Sequence, residues 1–224
     1  MKVGSFESPE GLWLIDKPVG MSSFGVVGRM RGITGIKKIG HAGTLDPLAS
    51  GLMLVLVGKT YTRQADHLIK LRKSYEMQVT LGSTSTTDDA EGELSPISDR
   101  QPTEEQTRTA IATFKGEILQ KPPAYSAIKI QGQRAYKLAR KGMVVDIPAR
   151  TTTIYDWQVM SYAYPFIKAI ADVSSGTYIR SLAHDLGDVL HTGAYLSALR
   201  RITIGDYSIK DAITLPDRSD RPTT

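Results

Sequence analysis

This sequence predicts an α+β (mixed α/β) fold: a largely antiparallel central sheet flanked by helices and loops. Three observations carry the prediction. Strand-like stretches follow one another directly or are separated by single helices, without the regular strand–helix–strand alternation of a doubly wound sheet. Residues 74–81 set Tyr75, Met77, Val79 and Leu81 in alternation with polar neighbours, the pattern of a half-buried strand. Residues 178–190 instead place Ile179, Leu182, Ala183, Leu186 and Leu190 at helical spacing, with Thr177 as the expected cap.

The remaining elements follow in order. Residues 11–16 (GLWLID) predict a short buried strand, and Ser22 or Ser23 caps a helix running to about Arg31. The apolar run 52–57 is a second buried strand, and 59–70 is helix-like. Residues 82–92 are all turn formers, and Pro102-Thr103-Glu104-Glu105 opens a helix that reaches Phe114. After the Pro122-Pro123 break, residues 126–130 and Gln131-Gly132 suggest a strand and turn. A helix is expected over 133–141, then two β-rich stretches at 151–162 and 166–173.

The chain has 224 residues, 41% of them hydrophobic, enough for one sizeable domain over residues 1–215 with a polar tail at 216–224. Its net charge of +5 weakly favours a polyanionic partner. Cysteine is absent, which excludes disulfides, thiolate chemistry and Cys-based zinc sites. Residues 1–10 lack the apolar stretch of a signal peptide, and the run 52–57 is far too short to cross a bilayer. A cytoplasmic protein without membrane contact is expected.

The densest chemistry lies at residues 40–51, GHAGTLDPLASG. His41, Thr44 and Asp46 share one turn with Gly40, Gly43 and Gly51. Asp-Pro is also a common turn or helix-start pair, so Asp46 reads either as a cap or as a nucleophile or base. Arg180 falls in the first turn of the 178–190 helix, on the wrong side of the helix dipole, unless an anion answers it. A carboxylate such as Asp46 or an RNA phosphate would do so; an ordinary surface arginine paired with Asp185 is the plainer alternative.

The segment 129–141 carries Lys129, Arg134, Lys137, Arg140 and Lys141 without an acid, and Tyr125 and Tyr136 lie beside or within it. On a helix, Arg134, Lys137 and Lys141 would share one face. Basic and aromatic residues together suit phosphate contact and base stacking, although by itself the segment reads as a solvated face. Tyr75 alone reads as a core tyrosine with a wet hydroxyl. Asp88, Asp89 and Glu91 do not match an EF-hand, and Asp89 reads as a turn residue bonding the backbone or a nearby cation. The four histidines show no metal spacing, so no metal is expected. P-loop, GxGxxG and GxSxG motifs are absent.

Taken in order, residues 11–23, 40–51, 73–92, 122–142, 174–187 and Leu199-Arg200-Arg201 resemble the TruB family of tRNA pseudouridine synthases. GHAGTLDPLASG and SSGTYIR (residues 174–180) are the most specific blocks. The resemblance implies a pseudouridine synthase fold and isomerisation of a T-loop uridine, conventionally position 55, in the T-arm stem-loop of tRNA. It implies no cofactor and no metal. Asp46 matches the family's catalytic aspartate, Tyr75 the tyrosine stacked on the base, and Arg180 the arginine paired with the carboxylate. His41, Tyr178 and Leu199 match positions lining the base pocket or holding the substrate loop, and Asp89 matches a polar site residue. Residues 122–150 resemble the mobile segment that closes on RNA.

Many family members carry a further C-terminal PUA domain. A minimal, monomeric form without one is expected here, relying for RNA on residues 129–141 and on cations such as Arg200 and Arg201. Base extrusion from a loop, with an aromatic platform offsetting part of the unstacking cost, fits this chemistry. Whether the carboxylate attacks the base, attacks the sugar or removes a sugar proton stays open. The rival expectations are an RNA-binding or RNA-folding module with secondary or lost catalysis, and a guide-dependent ribosomal RNA modifier.

Overall fold

A computed structural model describes residues 3–5, 7–126, 128–130, 132–139, 141–143 and 145–216. The chain forms two compact units, Met1–Glu76 with Leu199–Thr224, and Met77–Ala198. The first begins with β1 (Gly11–Lys17), α1 (Ser23–Thr34), β2 (Ile39–Ala42), β3 (Ser50–Val57), α2 (Lys59–Thr62) and α3 (Ala65–Ile69). Strand β4 (Lys73–Leu81) leads into the second, which holds β5 (Ser83–Ser85), β6 (Leu94–Pro96), α4 (Glu104–Ala112) and β7 (Gly116–Gln120). It continues with β8 (Lys129–Ile130), β9 (Gln133–Arg134), α5 (Ala135–Ala139), β10 (Arg150–Ala163), β11 (Phe166–Val173) and α6 (Ile179–Leu190). Strand β12 (Ala194–Ile204) returns to the first unit, completed by β13 (Tyr207–Ser208) and β14 (Ile213–Thr214).

In the first unit the strand order is β14-β1-β3-β12, with β2 also on β3 and β13 on β12. The β1–β3 and β2–β3 pairs are antiparallel, whereas β1–β14 and β3–β12 are parallel. Strand β3 is buried on both faces, which is why its sequence is a continuous apolar run. Met53, Val55 and Val57 pack with Val26, Val27, Met30 and Ile33 of α1, while Leu52, Leu54 and Leu56 pack with Leu12, Leu68 and Ile204. Ser22 caps α1 by accepting from Gly25 N, as the sequence predicts.

The second unit orders β12-β4-β11-β10-β7, with antiparallel β10–β11 and β10–β7 pairs. Helix α4 starts with a capping box between Thr103 and Gln106.

Three expectations change. Residues 59–70 form two short helices rather than one. Neither has a side-chain cap, and Thr60 and Thr62 are weak helix formers. The helix expected over 133–141 is only Ala135–Ala139, because a β8–β9 hairpin turning at Gly132 (φ +82) takes Gln133 and Arg134. Thr177 does not cap α6: its hydroxyl lies 3.3 Å from that of Ser174, and Tyr178 occupies the cap position without a side-chain bond.

Candidate active site

The hairpin β2–β3 opens into the turn 43–49 that carries Asp46. Gly43 leaves β2 at φ +93 and Gly51 enters β3 at φ +102, conformations that glycine alone adopts without strain. A Cβ on Gly51 would stand 2.3 Å from Arg201 O, so a side chain is also excluded there by contact. Ser23 of α1 fastens the turn from behind. Its hydroxyl donates to Leu45 O and accepts from Leu45 N, both at 2.8 Å. Asp46 O accepts from Ala49 N at 3.1 Å, and Pro47 O from Gly20 N at 2.8 Å. These bonds bury Leu45 and Ala49 and leave Asp46 half-buried between them in sequence.

His41 lies on β2 opposite Val55. Burial, and then the nearby Arg201 charge, lower its pKa below 6.5, so the imidazole is neutral at pH 7. Its Nδ1 is buried without a hydrogen-bond partner among the described residues. Tyr75 is buried on the inward face of β4 with Lys73, Met77 and Val79. Leu199 is half-buried on β12, one residue before the Arg200–Ser50 pairing.

Two cations behave differently from expectation. Arg201 is 1% exposed and, among the described residues, its side chain bonds to main-chain carbonyls, so it is a core residue rather than a phosphate contact. Arg200 grips the Asp16 carboxylate with two bonds, at 2.6 and 3.1 Å, which occupies the guanidinium. Lys73 is a further buried cation: its ammonium donates to Ile69 O and Leu71 O, and burial, helped by Arg201, pushes its pKa down to about 8.

In the second unit, α6 faces the turn 86–90. The Arg180 guanidinium is 6% exposed and donates to Thr87 O (3.0 Å) and Tyr125 O (2.9 Å), with its Nε 3.6 Å from Asp89 Oδ2. Asp89 is thus one carboxylate that answers the cation in the first helical turn. Its other oxygen accepts from Thr87 Oγ1 and Glu91 N. Asp89 therefore bonds both backbone and a cation, as its turn position predicts. Bonds from Ala90 N to Leu196 O and from Leu196 N to Asp88 O tie the turn to β12.

Two contributors have no local sequence signal. Gln120, 2% exposed, accepts from Tyr178 N and donates to Tyr178 O, taking over the fastening that a capping side chain would supply. His184, one helical turn beyond Arg180, sets Nδ1 3.0 Å from Asp88 Oδ1 and Nε2 3.5 Å from Asp188 Oδ2. The Asp88 bond is the main cause that raises its pKa to about 9. Asp88 itself sits at φ +60.

Of the basic segment, Arg134 lies on β9, Lys137 on α5 and Lys141 in the turn beyond. All three are exposed, but they do not share one helix face. Lys129 belongs to β8, and Arg140 lies outside the described residues. Among the described residues no group of three or more His, Asp or Glu side chains is gathered to hold a metal ion.

Comparison with known proteins adds to this geometry. The family model "TruB family pseudouridylate synthase (N terminal domain)" matches residues 31–179, and "tRNA pseudouridylate synthase B C-terminal domain" matches 180–221. The tRNA pseudouridine synthase B of Chlamydia pneumoniae is 42% identical over 207 residues, 92% of this chain and 88% of that protein. Its namesake from Corynebacterium efficiens is 44% identical over 215 residues, covering 94% and 72%. Two solved structures align with 92% of this chain. An H/ACA RNP bound to a substrate RNA containing 2′-deoxyuridine is 28% identical with a TM-score of 0.69, and a Cbf5-Nop10-Gar1 complex is 29% identical with a TM-score of 0.70. This chain spans about half the length of those two chains, 51% and 52%.

Proposed function

We propose that this chain, which belongs to the TruB family of pseudouridylate synthases, isomerises one uridine in the T-loop of tRNA, at position 55, with Asp46 as its catalytic carboxylate. The observation that carries the proposal is identity of 42–44% to bacterial tRNA pseudouridine synthases B across more than nine-tenths of this chain. That identity also favours tRNA over the substrate RNA of the more distant H/ACA neighbour.

The reaction is an internal rearrangement. The bond from uracil N1 to ribose C1′ breaks, the base turns, and a bond from C5 to C1′ forms. The proton on C5 leaves and N1 ends with one, so the atoms balance without a co-reactant. The target nucleotide leaves its stack to reach the enzyme, and loops are where extrusion costs least. Asp46 acts as the catalytic carboxylate. Tyr75 offers its ring to the extruded base, His41, Tyr178 and Leu199 line the base pocket or hold the substrate loop, and Asp89 and Arg180 are further substrate-binding residues. Lys129, Arg134, Lys137, Arg140 and Lys141 contact the phosphates of the T-arm.

The test is incubation of the purified protein with an unmodified T-arm transcript, followed by chemical mapping of pseudouridine. Product at the T-loop uridine is expected. A T-loop left as uridine would sink the proposal, and RNA binding without product would favour an RNA-folding module.

A further inference from the structure

One edge of β3 is shared. Strand β12 pairs there with Ser50 and Gly51, and β2 pairs with Leu54–Val57 through Ala42↔Leu54 and His41↔Val55. Continuing the β2–β3 register would set Gly43 opposite Met53 and Thr44 opposite Leu52. The Arg201 guanidinium stands in place of those rungs. Its Nε donates to Leu52 O at 2.8 Å, Nη1 to Thr44 O at 3.4 Å and Nη2 to Gly43 O at 3.1 Å.

A planar guanidinium carries five donors in a rigid fork, so one group can span carbonyls on two chain segments; an ammonium is a compact point charge on a flexible stem. Placing a cation where it is 1% exposed is costly unless its donors are met, and here main-chain carbonyls take three of its five. The wedge props the hairpin open just where the chain leaves β2, so residues 44–49 form a turn instead of extending the ladder. The backbone of Arg201 also pairs with Gly51, at the other end of the same turn.

We infer that Arg201 is a positioning residue for Asp46: its guanidinium sets the opening of the β2–β3 hairpin and thereby the place of the carboxylate. The inference rests on the catalytic reading of Asp46 proposed above. It differs from an RNA-binding role, because Arg201 reaches no solvent with which to meet a phosphate. It differs from general core packing in what it controls, which is turnover rather than affinity.

Arg201→Lys keeps the charge but cannot span the three carbonyls. The expected result is a kcat lower by about 10–100-fold, the scale of an ångström's misplacement, with KM and RNA Kd unchanged. Wild-type kcat in Arg201→Lys, or a loss shared equally by RNA affinity, overturns the inference. A second measurement needs no variant. In the RNA-free wild-type protein, 15N relaxation should give the amides of Thr44, Leu45, Asp46 and Leu48 order parameters near those of β3, about 0.85, whereas values below about 0.6 overturn the wedge. The relaxation result stands whether or not the protein makes pseudouridine. A wedge that fails and a function that fails are therefore told apart.

Discussion

In the first unit, the turn that carries Asp46 is held by a cation bonded to carbonyls, Arg201 on Gly43, Thr44 and Leu52, with Lys73 bonded likewise to Ile69 and Leu71 nearby. In the second, the turn that carries Asp89 is held by cations against carboxylates, Arg180 with Asp89 and His184 with Asp88. The difference lies in what fastens each turn. The wedge fixes the turn around Asp46 through main-chain carbonyls, with no carboxylate among the partners it bonds. The Asp88–Asp89 turn uses both of its acids as fasteners, which gives it a dependence on pH that carbonyl bonds lack.

The largest effect expected from breaking this contrast is at Asp46. Asp46→Asn should bind the T-arm with near wild-type Kd and yield no detectable product, a loss at least as large as the roughly 10²–10⁴-fold of an acid–base group. Retained turnover in a chemical mapping assay would remove Asp46 from the reaction. Next comes Arg180→Ala, which strands the Asp89 carboxylate at 2% exposure. Breaking a buried pair from one side costs about 3–5 kcal/mol, read as a Tm lower by about 6–20 °C for a chain of this size. Calorimetry showing an unchanged Tm would mean that the carboxylate does not depend on the arginine.

A smaller effect separates buried cations from exposed ones. Lys137→Glu with Lys141→Glu should weaken T-arm affinity by about tenfold or more, and flatten the dependence of log K on log salt by about two charges' worth. A titration with unaltered slope would confine these lysines to solvation. The smallest effect belongs to His184. Its folded pKa of about 9 lies above the unfolded value of 6.5, so its pairing stabilises fully below pH 6.5 and fades as pH rises through 9. With its side chain 39% exposed, screening limits this to about 1 kcal/mol. The Tm gap between wild type and His184→Gln should be about 2–4 °C at pH 6 and close by pH 10. A gap that persisted at pH 10 would refer it to packing instead of charge.

Much of this was legible along the chain. The run 52–57 reads as a buried strand because β3 is covered on both faces, and the alternation around Tyr75 marks β4 because one of its faces is buried. The Asp46 turn was visible from its glycines, two of which need positive φ. Residues 133–141 misled because their composition suits a helix, while the tight hairpin at Gly132 takes the first two residues away. Arg200 and Arg201 look alike as neighbours in sequence, yet one pairs with Asp16 on the surface side and the other is enclosed.

Periodicity, caps and turn chemistry are local properties of the chain, so β1, β3, β4, β10, β11, the main helices and the loops bearing Asp46 and Asp89 were legible in the sequence itself, whereas β2, β7 and β12 were not. The tasks of Arg201, Gln120 and Arg180 were decided only by the tertiary structure, through bonds to residues 149, 58 and 93 positions away. No local pattern distinguishes a guanidinium that meets solvent from one that replaces two rungs of a hairpin. The distinction arises only when β12 comes to rest against β3 and removes that side chain from water.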